Sequence, residues 1–373
     1  MSTNTQHTNQ HEQRKKPVLL FVIPQFVVGG AEMLVYQYAV YFANMYDVHV
    51  ASTVAGGKLE ELFAKHPHIS LFVGSRKTMG GRGGVYRNLA RYTKNIQPDI
   101  IHSHLFGGDI IASQLIRQVT NRPLWISTLH NVQFHQSWIR RFLWKRLFRH
   151  VDFVIAVSET VAAYAKDHFA LRSPRLVTIL NGVMLDQWLA IPDKGEATTP
   201  LQIATIGRLE VQKGHRYLLT ALSYIERHLW QLHVYGEGSL QQQLQVQATA
   251  LGIEKQIIWH GVSHDIPTAL QDIDVVVQPS LWEGLSLVVM EMMAAGKPVI
   301  ASIPAGSELI AHEKTGYLVP AANGVALSKM IDYVMTYKTE AHRVGKVARL
   351  FACDHFSFDT HIQQIARLYT DVL

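Results

Sequence analysis

The sequence predicts an α/β protein of two lobes, each a parallel β-sheet wrapped by helices. Three observations carry that prediction. Short β-branched runs alternate with longer amphipathic segments along the chain, the pattern of strand–helix units. Most of the strand-like runs end in Gly, Ser, Asn or His, and polar loops at strand carboxyl ends are where open α/β sheets bind ligands. A stretch rich in Pro, Gly, Thr and charge, IPDKGEATTP within Asp186–Pro200, divides the strand series in two. The 373 residues, 48% of them hydrophobic, suffice for two domain cores, which excludes wholesale disorder. A single cysteine, Cys353, excludes a disulfide scaffold and points to a reducing compartment or to indifference to redox. No run approaches the roughly 18 apolar residues that span a bilayer.

The elements follow in order. Residues 1–16, rich in Gln, Asn, Thr and His, read as a disordered polar leader. Arg14-Lys15-Lys16 before VLLFVIPQFVVGGA imitates a secretory signal, but Pro24 and Gln25 break the apolar run, and a strand–helix pattern follows. Residues 17–185 form the first lobe, with strands at Val18–Ile23, Val48–Thr53, Ile100–His102, Trp125–Thr128, Phe153–Val157 and Leu176–Leu180, and a helix at Met33–Ala43. Residues 186–200 are the linker. Residues 201–356 form the second lobe, with strands at Gln202–Ile206, Gln231–Tyr235, Ile257–Trp259, Val275–Gln278, Val299–Ala301 and a short Leu318–Val319. The helix at about 357–373 is expected to pack back on the first lobe. No internal repeat of 20–50 residues is visible.

Several strand-end loops carry candidate chemistry. Gly29 and Gly30, between the first strand and its helix, would let backbone N–H groups approach a phosphate, although a glycine pair in such a turn also serves geometry alone. Gly207-Arg208-Leu209-Glu210-Val211-Gln212-Lys213-Gly214 sets two cations five residues apart on a strand-to-helix loop. Arg offers a fork and Lys a point charge, a pair suited to a diphosphate; two solvated surface cations would give the same pattern. Gly236-Glu237-Gly238-Ser239 and His260-Gly261-Val262 end further strands on the same presumed rim. In PSLWEGLSLVVMEMMAAGKP a strand stops at Pro279, and a helix begins near Gly284 and stops at Gly296. Amides of Gly284, Leu285, Ser286 and Leu287 are then expected to face an anionic or hydroxyl-rich ligand. Glu283 and Glu291, eight residues apart, would stand about 12 Å apart on a helix. That exceeds the roughly 5–9.5 Å of a glycosidase carboxylate pair and suits two separate hydroxyl-binding tasks. His102-x-His104 reads as a strand-end loop rather than a metal site, and no ligand spacing elsewhere argues for a metal.

Together GRLEVQKG, GEGS, HGV, PSLWEGLSLVVMEMMAAGKPVIAS and GSELI…GYLV resemble the retaining glycosyltransferases of family 4, with the GT-B fold. GGAE, PDIIHSH, TLHN, DFVIAVSE and LNGV match the family's N-terminal lobe, so the resemblance covers nearly the whole chain past the leader. It implies two Rossmann-like lobes facing a deep interdomain cleft. The function implied is transfer of a sugar, with retention, from a nucleotide-sugar donor to a lipid-linked or polysaccharide acceptor in cell-envelope glycan synthesis (lipopolysaccharide, capsule or exopolysaccharide), with no metal and no other cofactor. It implies that Arg208 and Lys213 bind the donor diphosphate and that Glu283 holds sugar hydroxyls. The amides of Gly284 to Leu287 would lie beside sugar and phosphate, and Glu291 would take the ribose. The His260–Val262 turn would meet the base, Gly29 and Gly30 the phosphate, and His130 the transferring sugar. The chain departs from the commoner EGFGLP form: Ser286 stands where that form has its second Gly, adding a side chain where ligand passes closely. Two other readings stay open: a non-catalytic binding subunit of the same fold, and a nucleotide-sugar epimerase.

Charge adds the acceptor side. The net +6 conceals +11 over residues 1–185 and −5 over residues 186–373. Residues 75–94 hold Arg76, Lys77, Arg82, Arg87, Arg91 and Lys94 and no acid, and residues 138–149 interleave Trp138, Phe142, Trp144 and Phe148 with five cations. The second has the composition of an interfacial helix, which suits an anionic membrane surface and a cytoplasmic, peripheral location on the inner membrane; a stripe packed on the lobe's own sheet would look the same. Nucleic acid is not expected, because no recognisable binding module accompanies the charge.

Overall fold

Six apolar residues in unbroken succession, VLLFVI, can be satisfied only by burial on both faces of a sheet, and all six residues of the first strand, β1 (Val18–Ile23), are buried. The computed structural model describes residues 16–27, 29–132, 138–263 and 265–372; the leader up to residue 15 lies outside them. The strands that follow β1 are β2 (Asp47–Ser52), β3 (Ile69–Val73), β4 (Ile100–His104), β5 (Leu124–Leu129), β6 (Phe153–Ala156) and β7 (Leu176–Thr178). They make a seven-stranded sheet in the order β3-β2-β1-β4-β5-β6-β7. The second sheet has β8 (Leu201–Ile206), β9 (Trp230–Tyr235), β10 (Ile257–Gly261), β11 (Val275–Gln278), β12 (Val299–Ser302) and β13 (Tyr317–Val319), in the order β10-β9-β8-β11-β12-β13. Two Rossmann-like sheets are thus present, as the alternating pattern requires.

The second sheet is parallel throughout its pairings. Its order reverses between β8 and β11, the switch point at which strands of such sheets open a crevice. Register brings the ends together. Ile206 pairs with Tyr235, and Val275 and Val276 pair with Ile203 and Ala204, so the loops after β8, β9 and β11 leave one edge. Side chains alternate between two cores: Leu201, Ile203, Val275 and Val277 enter one, and Ala204, Val276, Val299 and Ala301 enter the other.

Three elements differ from the sequence reading. The strand β3 is absent from it. It pairs with β2 alone, at the sheet's edge, and only Ile69 and Phe72 are buried, so its apolar signal is weak. His102 and His104 lie in a strand rather than a loop, with all five residues of β4 buried; their rings pack on Phe21, 5.7 and 6.1 Å between centroids. Within the stretch read as linker, Asp186–Leu189 form a helical turn, and Trp188 and Ile191 enter the second sheet's core.

Chain contacts form two compact units. One runs to Ser127 and includes His150–Asp152; the other comprises Thr128–Arg149 and Phe153–Val372. The last helix, Phe358–Val372, belongs to the second. Val183 N–H donates to Phe356 O (2.8 Å) and Phe358 N–H to Val183 O (3.0 Å), tying its start to the segment after β7.

Candidate active site

The loop after β8 begins at Gly207, φ +146°, and that after β9 at Gly236, φ +137°. A Cβ on Gly236 would meet Gly207 O at 2.0 Å, so the two loops lie backbone to backbone, closer than any side chain permits. Leu209 N–H donates to Glu237 O (2.9 Å) and locks them. Arg208 is exposed on this loop. Beside it Glu210 accepts from Ser239 N–H (3.0 Å) and Oγ (2.7 Å), bonds that hold its carboxyl below the usual range, with Arg208 adding to them.

The centre of the constellation is Glu283, 8% exposed. Its Oε1 accepts from Lys213 Nζ at 2.6 Å and from Ser280 Oγ at 2.7 Å. Its Oε2 accepts from Gln212 Nε2 at 3.1 Å. A carboxylate so far from water persists only with a counter-charge and hydrogen-bond donors, and this one has both: three donors on about four lone pairs, with room on Oε2 for one more. The same Gln212 amide donates to Trp282 O (2.9 Å), while its backbone carbonyl accepts from Leu281 N–H (2.7 Å). The loops after β8 and β11 are thereby joined through side chain and backbone together.

Gly284 cannot be another residue here: an added Cβ would lie 2.1 Å from His130 O. Its carbonyl accepts from Ser158 Oγ at 2.6 Å. Ser158 also caps the helix Glu159–Phe169 by accepting from Val161 N–H. The helix that follows Gly284 starts later than the sequence suggests, at Leu287, and ends at Ala294. Gly284 and Leu285 therefore belong to the loop. The separation of about 12 Å expected of Glu283 and Glu291 does not apply, since only Glu291 is helical. Ser286 is 2% exposed, and its Oγ accepts from Val289 N–H as the N-cap of this helix. Leu285 and Leu287 pack against the second core.

Three groups here are displaced far from their ordinary values by burial. Burial pushes the Glu291 carboxyl up to about 8. His130, which follows β5, is brought down to about 3 by burial and then by the neighbouring His361, and burial brings His361 itself to about 4. Both imidazoles are neutral at physiological pH. At the end of β10 the exposed His260 stacks on Tyr235, 4.4 Å between centroids and 8° between planes. Its Nε2 lies 3.0 Å from His233 Nδ1. Gly261 (φ +67°) turns the chain there, and Val262 is 54% exposed.

The structure thus brings Arg208, Lys213, Glu283, Gly284–Leu287, Glu291, His260–Val262 and His130 into one compact unit, whereas Gly29 and Gly30 belong to the other. Gly29 precedes the helix Gly30–Phe42, and a Cβ on it would come 2.5 Å from Glu32 Oε2. A carboxylate, rather than open space, lies beside the amide end of that helix. The sequence reading missed Gln212, Ser280 and Ser158, although all three stand inside the quoted motifs. Among the described residues no group of three or more His, Cys, Asp or Glu is arranged to hold a metal ion.

Residues 28–187 match the family described as Glycosyltransferase Family 4, and residues 186–351 match Glycosyl transferases group 1. An uncharacterized glycosyltransferase of Methanocaldococcus jannaschii is 32% identical over 171 residues, 45% of this chain and 44% of that protein. The UDP-Gal:alpha-D-GlcNAc-diphosphoundecaprenol alpha-1,3-galactosyltransferase of Escherichia coli is 25% identical over 77% of this chain and 79% of its own. Among solved structures, Anabaena HepE in complex with UDP-glucose superposes with a TM-score of 0.84 at 21% identity, covering 95% of this chain and 99% of that one.

The Glu291 shift makes a measurable prediction. A carboxyl whose pKa rises on folding from 4.5 to about 8 binds its proton more tightly in the folded state, so its contribution to stability is lost as pH rises between those values. Urea unfolding of the parent and of Glu291→Gln at about pH 5 and pH 8 isolates it. The parent's midpoint, relative to the variant's, should fall between the two pH values; a pH-independent difference would contradict the assignment.

Proposed function

We propose, for a chain that belongs to the GT-B, family 4-like glycosyltransferases, that it retains anomeric configuration and transfers a hexose-type sugar from a nucleoside diphosphate donor to a lipid-linked or polysaccharide acceptor of the cell envelope. The observation that carries the donor reading is the buried Glu283 carboxylate, fixed by Lys213, Gln212 and Ser280 in the loops at the switch point. A carboxylate held this rigidly is a ready acceptor for sugar hydroxyls, and the cation on its flank is placed for the phosphate next to that sugar. The acceptor class is supported by the Escherichia coli relative, whose acceptor is a sugar on diphosphoundecaprenol.

In this reading Arg208 and Lys213 take the diphosphate. Breaking the sugar–phosphate bond builds negative charge on the leaving phosphate and positive character on the sugar. Fixed cations therefore stabilise the transition state more than the bound donor. Lys213 spans both partners, because Glu283 and the diphosphate are neighbours on one ammonium. His130, neutral with its pKa near 3, hydrogen-bonds the sugar without setting a second cation against the positive sugar ring. Glu291 takes the ribose, the backbone of His260–Val262 the base, and the amides of Gly284 to Leu287 the sugar and phosphate. With no separate carboxylate assigned as nucleophile, the leaving phosphate itself assists attack from the same face. Gly29 and Gly30 remain phosphate contacts of the first lobe in this reading, with Glu32 limiting how near an anion comes to them. We keep 17–185 as the acceptor lobe, 186–200 as the connection and 201–356 as the donor lobe.

The helix Trp138–Leu147 supports a peripheral membrane contact, in a different form from that expected. Trp144 and Phe148 are 2% and 1% exposed and pack with Phe169, so half of the presumed stripe is core. Trp138, Ile139, Phe142 and Leu143 are instead exposed, Trp138 at 73% and Phe142 at 60%, among Arg140, Lys145, Arg146 and Arg149. Apolar side chains ringed by cations fit the interface of an anionic bilayer. In the helix Gly81–Ile96, Arg87, Arg91 and Lys94 are exposed along one face. Among the described residues no helix is long and apolar enough to cross a membrane.

Thermal stabilisation by a panel of nucleotide sugars identifies the donor. With it in hand, Glu283→Gln should lower turnover by at least about a hundredfold while the nucleoside diphosphate still binds, and Arg208→Ala should weaken that binding about tenfold. Arg208 is the cleaner test of the clamp, because Lys213→Ala also strands the Glu283 charge. Parental turnover in Glu283→Gln would remove the sugar assignment.

Membrane contact is decided by flotation with neutral and anionic vesicles. Anionic vesicles should carry the protein. Phe142→Ser with Trp138→Ser should release it even at low salt, since each buried apolar side chain contributes on the order of 2 kcal/mol. Equal flotation with both lipids, or none, would return this face to solvent.

A further inference from the structure

One cavity takes no part in the donor site. It has a volume of about 470 Å³ and opens where β7 ends, between Asn181 and the first turns of the helix Phe358–Val372. Asn181 is 5% exposed, and among the described residues its Oδ1 has no hydrogen-bond partner. A buried amide oxygen left so costs about 1–3 kcal/mol, and a turn of the Asn181 side chain toward the cavity it lines would let a ligand hydroxyl recover it. Beside it His361, 3% exposed, faces the Leu180 carbonyl through Nδ1 at 2.5 Å. His361 lines the cavity, and its charge acts on the ring of His130, the group assigned to the transferring sugar.

The lining selects the chemistry of the occupant. Glu159 and Glu308 contribute carboxylates and, among the described residues, no Lys or Arg lines the space, so an anion would meet repulsion without a counter-ion. Both oxygens of Glu308 already accept backbone N–H groups, from Glu159 and Thr160, each at 2.7 Å, so that carboxylate is part of the wall. Ser357, Thr360 and Gln364 supply hydroxyl and amide groups around the mouth. A ligand of many hydroxyls and no charge matches this set, and the volume falls in the roughly 300–1,000 Å³ of small-molecule sites. We propose that this cavity is a neutral-sugar subsite that holds the acceptor glycan, with Asn181 at its floor and Thr360 and Gln364 at its mouth. The proposal rests on the transferase reading for the word acceptor, but not for the sugar.

The test uses the full chain and two variants at exposed helix positions, Thr360→Trp and Gln364→Trp, which close the mouth without touching the core. Saturation-transfer NMR with methyl α-glucoside, maltose and N,N′-diacetylchitobiose reads sugar binding, and calorimetry with UDP reads the donor site. At least one saccharide should bind the parent, and both variants should weaken it by about tenfold or more, with UDP affinity unchanged within about twofold. Asn181→Leu, which removes the floor acceptor, should weaken the same saccharide. Absence of binding by all three saccharides, or binding that both tryptophans leave intact, overturns the proposal. Sugar binding lost in the variants, with no binding of UDP, GDP or ADP by the parent, would support the pocket and contradict the donor reading instead.

Discussion

A carboxylate removed from water must be neutralised where it stands, and the burial of Glu283 imposes that requirement on everything around it. Its counter-ion, Lys213, comes from the loop after β8, while Glu283 follows β11, so the pair can close only because these strands are neighbours at the reversal of strand order. The chain must also come very near itself. Gly214 adopts φ +67° with its missing Cβ 2.1 Å from Pro279 O, an approach closed to every other residue. Gln212 and Ser280 add two further donors, which converts a costly charge into a rigid one and leaves one lone pair on Oε2 for a ligand hydroxyl.

The rigidity extends into the next loop. Gly284, adjacent to the carboxylate, is held by Ser158 through its carbonyl and by His130 through exclusion of a side chain. The same few residues thus fix the positions assigned to sugar, phosphate and transferring carbon. Stabilisation of a charge that develops only during reaction depends on groups that need not reorganise, and hydrogen-bonded pairs of this kind meet that condition. The neutral His130 follows from the same burial.

Much of this was legible in the sequence because burial on both faces writes itself as unbroken apolar runs. VLLFVI and VVVQ mark strands whose bounds agree with the structure. The half-exposed edge strand β3 lacks such a run and escapes notice. Motif residues with charge, Arg208, Lys213 and Glu283, announce themselves by type. Gln212, Ser280 and Ser158 do not, since a neutral hydrogen-bonding residue matters only through the partner that folding gives it. The capping role of Ser286 was likewise hidden, since its type shows a departure from glycine but not the Val289 N–H that its oxygen accepts from. On the basic helix, period alone could not tell which aromatic residues face the core. Trp144 is buried there, while Trp138 and Phe142 are exposed.

A double-mutant cycle on unfolding free energy, with Lys213→Met, Glu283→Gln and the two combined, measures the central interaction directly. If the ion pair organises the site, each single variant should cost about 3–5 kcal/mol, because it strands a buried partner. The combined variant should then cost less than their sum by about 1–3 kcal/mol. Additive costs would show that Glu283 and Lys213 are held independently, and the site would need another organising contact.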